Sequence, residues 1–206
     1  MKILLLGASG MLGAVVLRRA LAAGHRVTVL ARDASKFGAD VKNANIVTGD
    51  VRTTDLSPLL DGQDAVIQSL GVGGKGDGRP TDICATGARR LLSAMGTRPI
   101  RLVAVSNTGV QGSGGLIVRA LPVFVRWLRP IVDDKEQMEA ALRDSNARWT
   151  AVRMPGLVDR KPKGKPRFSG DGKGLGLTVS LQNAADVLIS LAGSDRYIRE
   201  AVSISD

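Results

Sequence analysis

The stretch Lys2-Ile3-Leu4-Leu5-Leu6-Gly7-Ala8-Ser9-Gly10-Met11-Leu12-Gly13 decides the fold class of this chain. Ile3 to Leu6 is an unbroken apolar run, the pattern of a strand covered on both faces. Gly7, Gly10 and Gly13 follow at intervals of three. Beyond them Leu12, Val16 and Ala20, with Leu17 and Leu21, recur at helical spacing from Gly10 to Ala23, and Gly24 is the stop. A strand, a glycine turn and a helix in that order begin a βαβ unit, and Arg26 to Leu30 supplies its second strand. Gly7 makes the turn, Gly10 allows close approach to the backbone N–H groups, and Gly13 lets the helix pack on the strand. A pyrophosphate is the ligand that such a helix start suits. Ser9, Met11 and Leu12 belong to the same cradle.

The pattern continues outward. Asn45 to Thr48, Ala65 to Gln68, Arg101 to Val105 and Trp149 to Arg153 read as further strands. Ile83, Gly87, Leu91 and Met95 form a helical stripe, and Lys135 to Arg143 carries Met138, Ala141 and Leu142 toward a core. The expected fold is α/β, a Rossmann-type doubly wound, mostly parallel sheet with helices on both faces, built as one domain over residues 1–206. Loops at 71–80, 107–132 and 156–176 are expected to form the substrate region. The glycine-rich Gly71 to Pro80 and the Gly, Lys and Pro-rich Arg160 to Gly176 follow strands, where open sheets place their ligand crevice, and are expected to be mobile.

Composition narrows the function. A chain of 206 residues can bury a full core, and one cysteine, Cys84, with one histidine, His25, excludes a disulfide framework and a Cys/His zinc site. The first apolar run is too short for a secretory signal, so no targeting segment is expected and the expected compartment is the cytoplasm. The net charge of +10 admits polyanions as partners, but much of it is spread over helix faces, and 3% aromatic residues leave little for base stacking. Nucleic acid is therefore not an expected partner. Leu116 to Val132 is apolar, yet Arg119, Arg126 and Arg129 interrupt it and Pro122 breaks its helix, so it is not expected to span a membrane. It reads as a pocket wall, a dimer surface or a core-facing helix.

The end of the second strand bears on the cofactor. Folds that prefer NAD present an acid there to the ribose 2′-hydroxyl, whereas this chain reads Leu30-Ala31-Arg32-Asp33. The Arg32 fork suits a 2′-phosphate and Lys36 adds a second positive charge. Asp33 reads as the N-cap of the turn Ala34 to Phe37. NADPH is thus the expected cofactor, with NADH second.

These stretches, with Gly49-Asp50-Val51, Ser69-Leu70-Gly71, Val105-Ser106-Asn107, Val132-Asp133-Asp134-Lys135 and Arg153-Met154-Pro155-Gly156-Leu157, make the chain resemble the atypical short-chain dehydrogenases. The resemblance is to the NAD(P)H-binding NmrA-like and flavin reductase (biliverdin reductase B) types. It implies that Asp50 and Val51 border the adenine, Ser69, Leu70 and Gly71 line the ribose, and Pro155, Gly156 and Leu157 lie beside the nicotinamide. It implies further that Ser106 lies near hydride transfer and that Lys135 holds the ribose hydroxyls.

The chain departs from ordinary short-chain dehydrogenases where their catalytic tyrosine stands, four residues before the lysine; here that residue is Ile131. Reducing a simple carbonyl needs a positioned acid for the developing alkoxide, whereas a flavin or quinone delocalises the incoming charge. The expected activity is NADPH-dependent reduction of a flavin, quinone or similar flat small-molecule acceptor, with Ser106 and Lys135 orienting it. The alternative is an NmrA-like sensor that binds NAD(P)H without turnover. The expected assembly is a monomer or a homodimer.

Overall fold

The computed structural model describes residues 1–72, 79–110, 113 and 128–206. Its centre is an eight-stranded sheet of β1 (Lys2–Leu6), β2 (Arg26–Ala31), β3 (Asn45–Thr48), β4 (Ala65–Gln68), β5 (Arg101–Asn107), β6 (Arg148–Met154), β8 (Arg167–Ser169) and β10 (Glu200–Ser205). They lie in the order β3-β2-β1-β4-β5-β6-β10-β8. Among the described strands of this sheet seven run parallel, and β8 is antiparallel, on β10. The chain winds from β1 out to β3, then returns to β4 on the other side. The sheet therefore splits at the carboxyl ends of β1 and β4, where doubly wound folds form their ligand crevice.

Strand alternation sorts the core into two layers. Ile3, Leu5, Val27, Val29, Val103 and Val105 face α1 (Met11–Ala22) and a C-terminal helix, Leu181–Ala192. Leu4, Leu6, Val66, Leu102 and Ala104 face α2 (Ser57–Leu60), α3 (Ile83–Met95) and α4 (Arg129–Arg143). The C-terminal helix is then α5. The strands expected from the sequence are all present, and the helix expected over Lys135 to Arg143 starts earlier, at Arg129 with Pro130 in its first turn.

The segment 160–176 differs from the expectation of a free loop. Its residues 167–169 form the edge strand β8, pairing Arg167 with Ser205 and Ser169 with Ser203. The Gly176 amide donates to Ser205 Oγ at 2.9 Å, and Asn183 Nδ2 donates to the Gly164 carbonyl at 2.8 Å. The reason is β10, a strand absent from the sequence reading, whose open edge is satisfied by this segment. Two short strands beside it, β7 (Gly156–Val158) and β9 (Thr178–Ser180), pair in parallel and lead into α5. Among the described residues no helix is long and apolar enough to cross a membrane. Most of the expected loops 71–80 and 107–132, and of the segment Leu116 to Val132, lies outside the described residues.

Candidate cofactor site

The three glycines after β1 are constrained in different ways. Gly7 has φ +83°, and a Cβ there would fall well under 3.0 Å from the Ser69 carbonyl oxygen. A Cβ at Gly13 would fall equally close to the Gly7 carbonyl. Both positions are closed by the protein's own backbone. At Gly10, by contrast, a Cβ would meet one atom among the described residues, the Gly7 oxygen at 3.3 Å. Gly10 is also the N-cap of α1, which has no side-chain cap and no acidic residue in its first turn. Its first N–H groups and the positive end of its dipole are left for an outside acceptor. Ser9 and Met11 flank Gly10 at the surface, while Leu12 is buried under the helix.

The strand ends around this turn are tied together. The Ser69 amide donates to the Leu6 carbonyl, continuing the β1–β4 ladder past Gln68. Leu70 packs on α3 at Gly87, where a Cβ would lie 2.5 Å from Leu70 Cδ1 and 3.7 Å from Val51 Cγ2. Val51 and Leu70 thus meet over one helical glycine, and Val51 is buried. Asp50 folds its own turn, accepting from the Arg52 amide at 2.8 Å. Gly71 is exposed at the end of this run.

Beyond β2, Arg32 is exposed and Asp33 turns away into the chain. Its carboxylate accepts from the Ser35 amide at 2.9 Å and the Ser35 hydroxyl at 2.6 Å, capping the turn Ala34–Lys36. The Ser35 hydroxyl, then its amide, hold the Asp33 carboxyl below the usual range. The N-cap reading of Asp33 is therefore what the structure has. A shallow hollow of about 70 Å³ lies between α1 and this turn, lined in part by Ala8, Ser9, Arg18, Lys36 and Phe37. Arg18 and Lys36 share it with the glycine turn and with Asp40, which lies 3.9 Å from Arg18. Arg32 is adjacent in sequence but is not part of its lining.

On the α3–α4 face, at the carboxyl ends of β4, β5 and β6, lies a buried polar layer. Lys135 is 4% exposed, and its Nζ donates to the carbonyls of Leu70 at 3.0 Å and Val105 at 2.6 Å. It joins the ends of β4 and β5. Asp134 accepts from the amides of Cys84 and Ala85 at 3.0 and 2.8 Å, which caps α3 from a different helix. Burial pushes the Cys84 thiol up, an effect the Lys135 ammonium only partly opposes.

Ser106 is 1% exposed and donates to Glu139 Oε1 at 2.6 Å. Glu139 also takes a two-pronged contact from Arg153, Nε to Oε1 at 2.9 Å and Nη2 to Oε2 at 2.6 Å. The sequence reading placed Ser106 and Lys135 toward an acceptor; here both polar groups are held within the protein. Asp134 and Arg153 fall in stretches that carry the family resemblance, but the sequence assigns no role to them or to Glu139. The available signal was helical: Asp134, Lys135, Met138, Glu139 and Leu142 form one buried face of α4.

After β6 the chain passes Pro155 into β7, where the Gly156 amide donates to the Leu177 carbonyl at 3.1 Å. Gly156 is exposed, and Pro155 and Leu157 are half-buried. The lone tyrosine, Tyr197, stacks on Phe168 of β8 with ring centroids 5.9 Å apart, apart from the layer around Lys135.

The whole fold superposes on solved oxidoreductases. A protein from Streptococcus pneumoniae assigned as an NADH-flavin reductase matches with a TM-score of 0.82 at 20% identity, covering 100% of this chain and 99% of that one. A short-chain dehydrogenase/reductase from Veillonella parvula in complex with NADP matches with 0.81 at 16% identity, covering 100% and 94%. An anaerobillin reductase from Escherichia coli matches with 0.78 at 20% identity, covering 100% and 97%. These likenesses establish the Rossmann-type fold. A family model described as NAD(P)H-binding matches residues 7–195, from the first glycine of the turn to the loop before β10, and the chain belongs to that NAD(P)H-binding family.

Proposed function

We propose that the protein is an NADPH-dependent reductase of a flat, conjugated acceptor such as a flavin or a quinone. The dinucleotide fits the residues present: the space above Gly10 among the described residues and the uncapped start of α1 suit a pyrophosphate. Arg32, with Lys36 and Ser9 beside the hollow, suits a 2′-phosphate, and the commitment of Asp33 to Ser35 removes the competing ribose acid. Met11, Leu12 and Gly13 complete the turn. Asp50 and Val51 are assigned to the adenine side, Ser69, Leu70 and Gly71 to the ribose, and Pro155, Gly156 and Leu157 to the nicotinamide. When bound there, the reduced dinucleotide supplies a hydride.

The observation that carries the reading is what surrounds Lys135. One turn before it, where a proton donor would stand, is Ile131, and the Ser106 proton is given to Glu139. Among the described residues of this layer no hydroxyl is left free to protonate a developing alkoxide, and the Lys135 ammonium is held by the Leu70 and Val105 carbonyls. An acceptor that spreads the incoming charge over its own rings and takes its proton from water needs none. In this reading Lys135 and Ser106 act by holding the ends of β4 and β5 in place for the two rings.

The same observation favours a second reading, an NmrA-like protein that binds NAD(P)H and signals its occupancy without turnover. NADPH oxidation measured with a panel of flavins and quinones, beside direct titration of NADPH, separates the two. Turnover that is abolished by Gly10→Leu establishes the reductase. Tight binding with no turnover on any acceptor establishes the second reading.

A further inference from the structure

Between β7 and β8 the chain reads Arg160-Lys161-Pro162-Lys163-Gly164-Lys165-Pro166-Arg167, with five cations and no acid in eight residues. Lys161, Lys163, Lys165 and Arg167 are exposed. The three lysines make no ion pair with any described residue. The nearby carboxylates are otherwise placed: Asp171 lies 3.3 Å from Lys173, and Asp206 lies 3.8 Å from Arg160 and accepts from Ser180 and Asn183. Asp159 stands exposed just before the run.

This run is held as a strap. Arg160 Nη2 donates to Thr178 Oγ1 at 2.9 Å, the Gly164 carbonyl takes the Asn183 amide, and Arg167 pairs with Ser205. Ser205 ends β10, which runs parallel to β6, so the strap lies at the carboxyl ends of the strands. The candidate site opens at the same end of the sheet, and the strap follows the Pro155 turn and β7 in the chain, with β5, β6 and β10 between β4 and β8. A fixed backbone carrying unpaired ammonium groups loses less entropy on meeting an anion than a free loop would.

We infer that the strap at residues 160–167 selects an acceptor bearing a phosphate or carboxylate group, with Lys161, Lys163 and Lys165 as its cationic contacts. The inference rests on the reductase reading for the word acceptor, but the contact itself is a binding event and is measurable without turnover. A polymer is the less favoured partner, since the run is short and the chain has few aromatic residues to stack on bases.

The experiment compares molecules that share a ring system and differ in charge: flavin mononucleotide against riboflavin, and a naphthoquinone carboxylate against the parent naphthoquinone. Binding is read by flavin fluorescence quenching or calorimetry with NADP⁺ present, and turnover is read separately. The expected result is that at least one charged member binds about tenfold tighter than its neutral partner, the product of two exposed contacts of roughly threefold each. The preference should shrink with added salt and vanish in Lys161→Gln/Lys163→Gln/Lys165→Gln. It should persist in Arg26→Gln/Lys42→Gln/Arg98→Gln, which removes the same charge elsewhere. A charge preference without turnover upholds the strap and overturns the reductase. Equal binding of charged and neutral partners in both pairs overturns the strap whether or not turnover is seen. Tighter strap-dependent binding of a single-stranded oligonucleotide also overturns it.

Discussion

Replacing Glu139 with leucine tests the buried polar layer most directly. The carboxylate is fully buried and accepts four hydrogen bonds, from Ser106, from Arg153 twice and from Arg143 at 3.4 Å. Arg143 is 36% exposed and can turn to water, so its loss contributes little. Arg153 is 9% exposed and cannot. Glu139→Leu therefore leaves a guanidinium desolvated without a counter-charge, which costs about 3–5 kcal/mol. In a chain of this length each kcal/mol lowers Tm by about 2–4 °C, so the expected drop is on the order of 10 °C in scanning calorimetry. The double variant Glu139→Leu/Arg153→Met removes both charges and should recover most of the loss. A single-variant cost below about 1 kcal/mol, or a double variant no more stable than the single, would refute the argument that desolvation of Arg153 is what Glu139 offsets.

Arg32→Ala should weaken NADPH binding by about 1–3 kcal/mol and leave NADH nearly unchanged, and equal losses in parallel titrations would remove the 2′-phosphate assignment. Gly13→Ala should unfold or strongly destabilise the protein, because its Cβ meets backbone, whereas Gly10→Ala should keep Tm within a few degrees; circular dichroism melts of the two decide it. His25 is the only histidine, and burial, followed by the N-terminal ammonium, lowers its pKa. The native state then binds fewer protons than the unfolded chain below the ordinary value of 6.5, so stability should fall as pH drops through that value and further to the native pKa. Urea melts of wild type and His25→Gln between about pH 5 and 7 should differ in slope, and identical slopes would refute it.

Much of the first half of the fold is legible because its residues carry two signals at once. Ile3 to Leu6 has the run length of a strand and ends on Gly7, whose φ of +83° only glycine takes without strain. The C-terminal third carries the same kinds of signal more faintly. Ser180 is a capping residue, its hydroxyl accepting from the Asn183 amide at 3.3 Å, and Leu181–Ala192 is apolar on one face. Strand β8 has no such signature: Arg167, Phe168 and Ser169 are a strand only because β10 offers an edge. Pairing between segments distant in sequence is a tertiary fact, and local propensity does not encode it.

The site divides along the same line. The glycine positions and Asp33 were readable because their roles are local, set by backbone conformation or by a neighbour two residues away. Ser106 and Lys135 were placed by resemblance, and their partners depend on what faces them across the sheet. Glu139 lies four residues after Lys135, on the same buried face of α4, and Arg153 extends toward it from β6. A glutamate one turn after a lysine on a helix ordinarily reads as a surface ion pair. Here each goes elsewhere, the lysine to two strand-end carbonyls and the glutamate to an arginine on a third strand. That division binds β4, β5 and β6 to one helix through charged groups. It also explains how the chain can have isoleucine in the tyrosine's place and still keep the strand ends around the cofactor crevice in register: the lysine's structural contacts do not pass through that position.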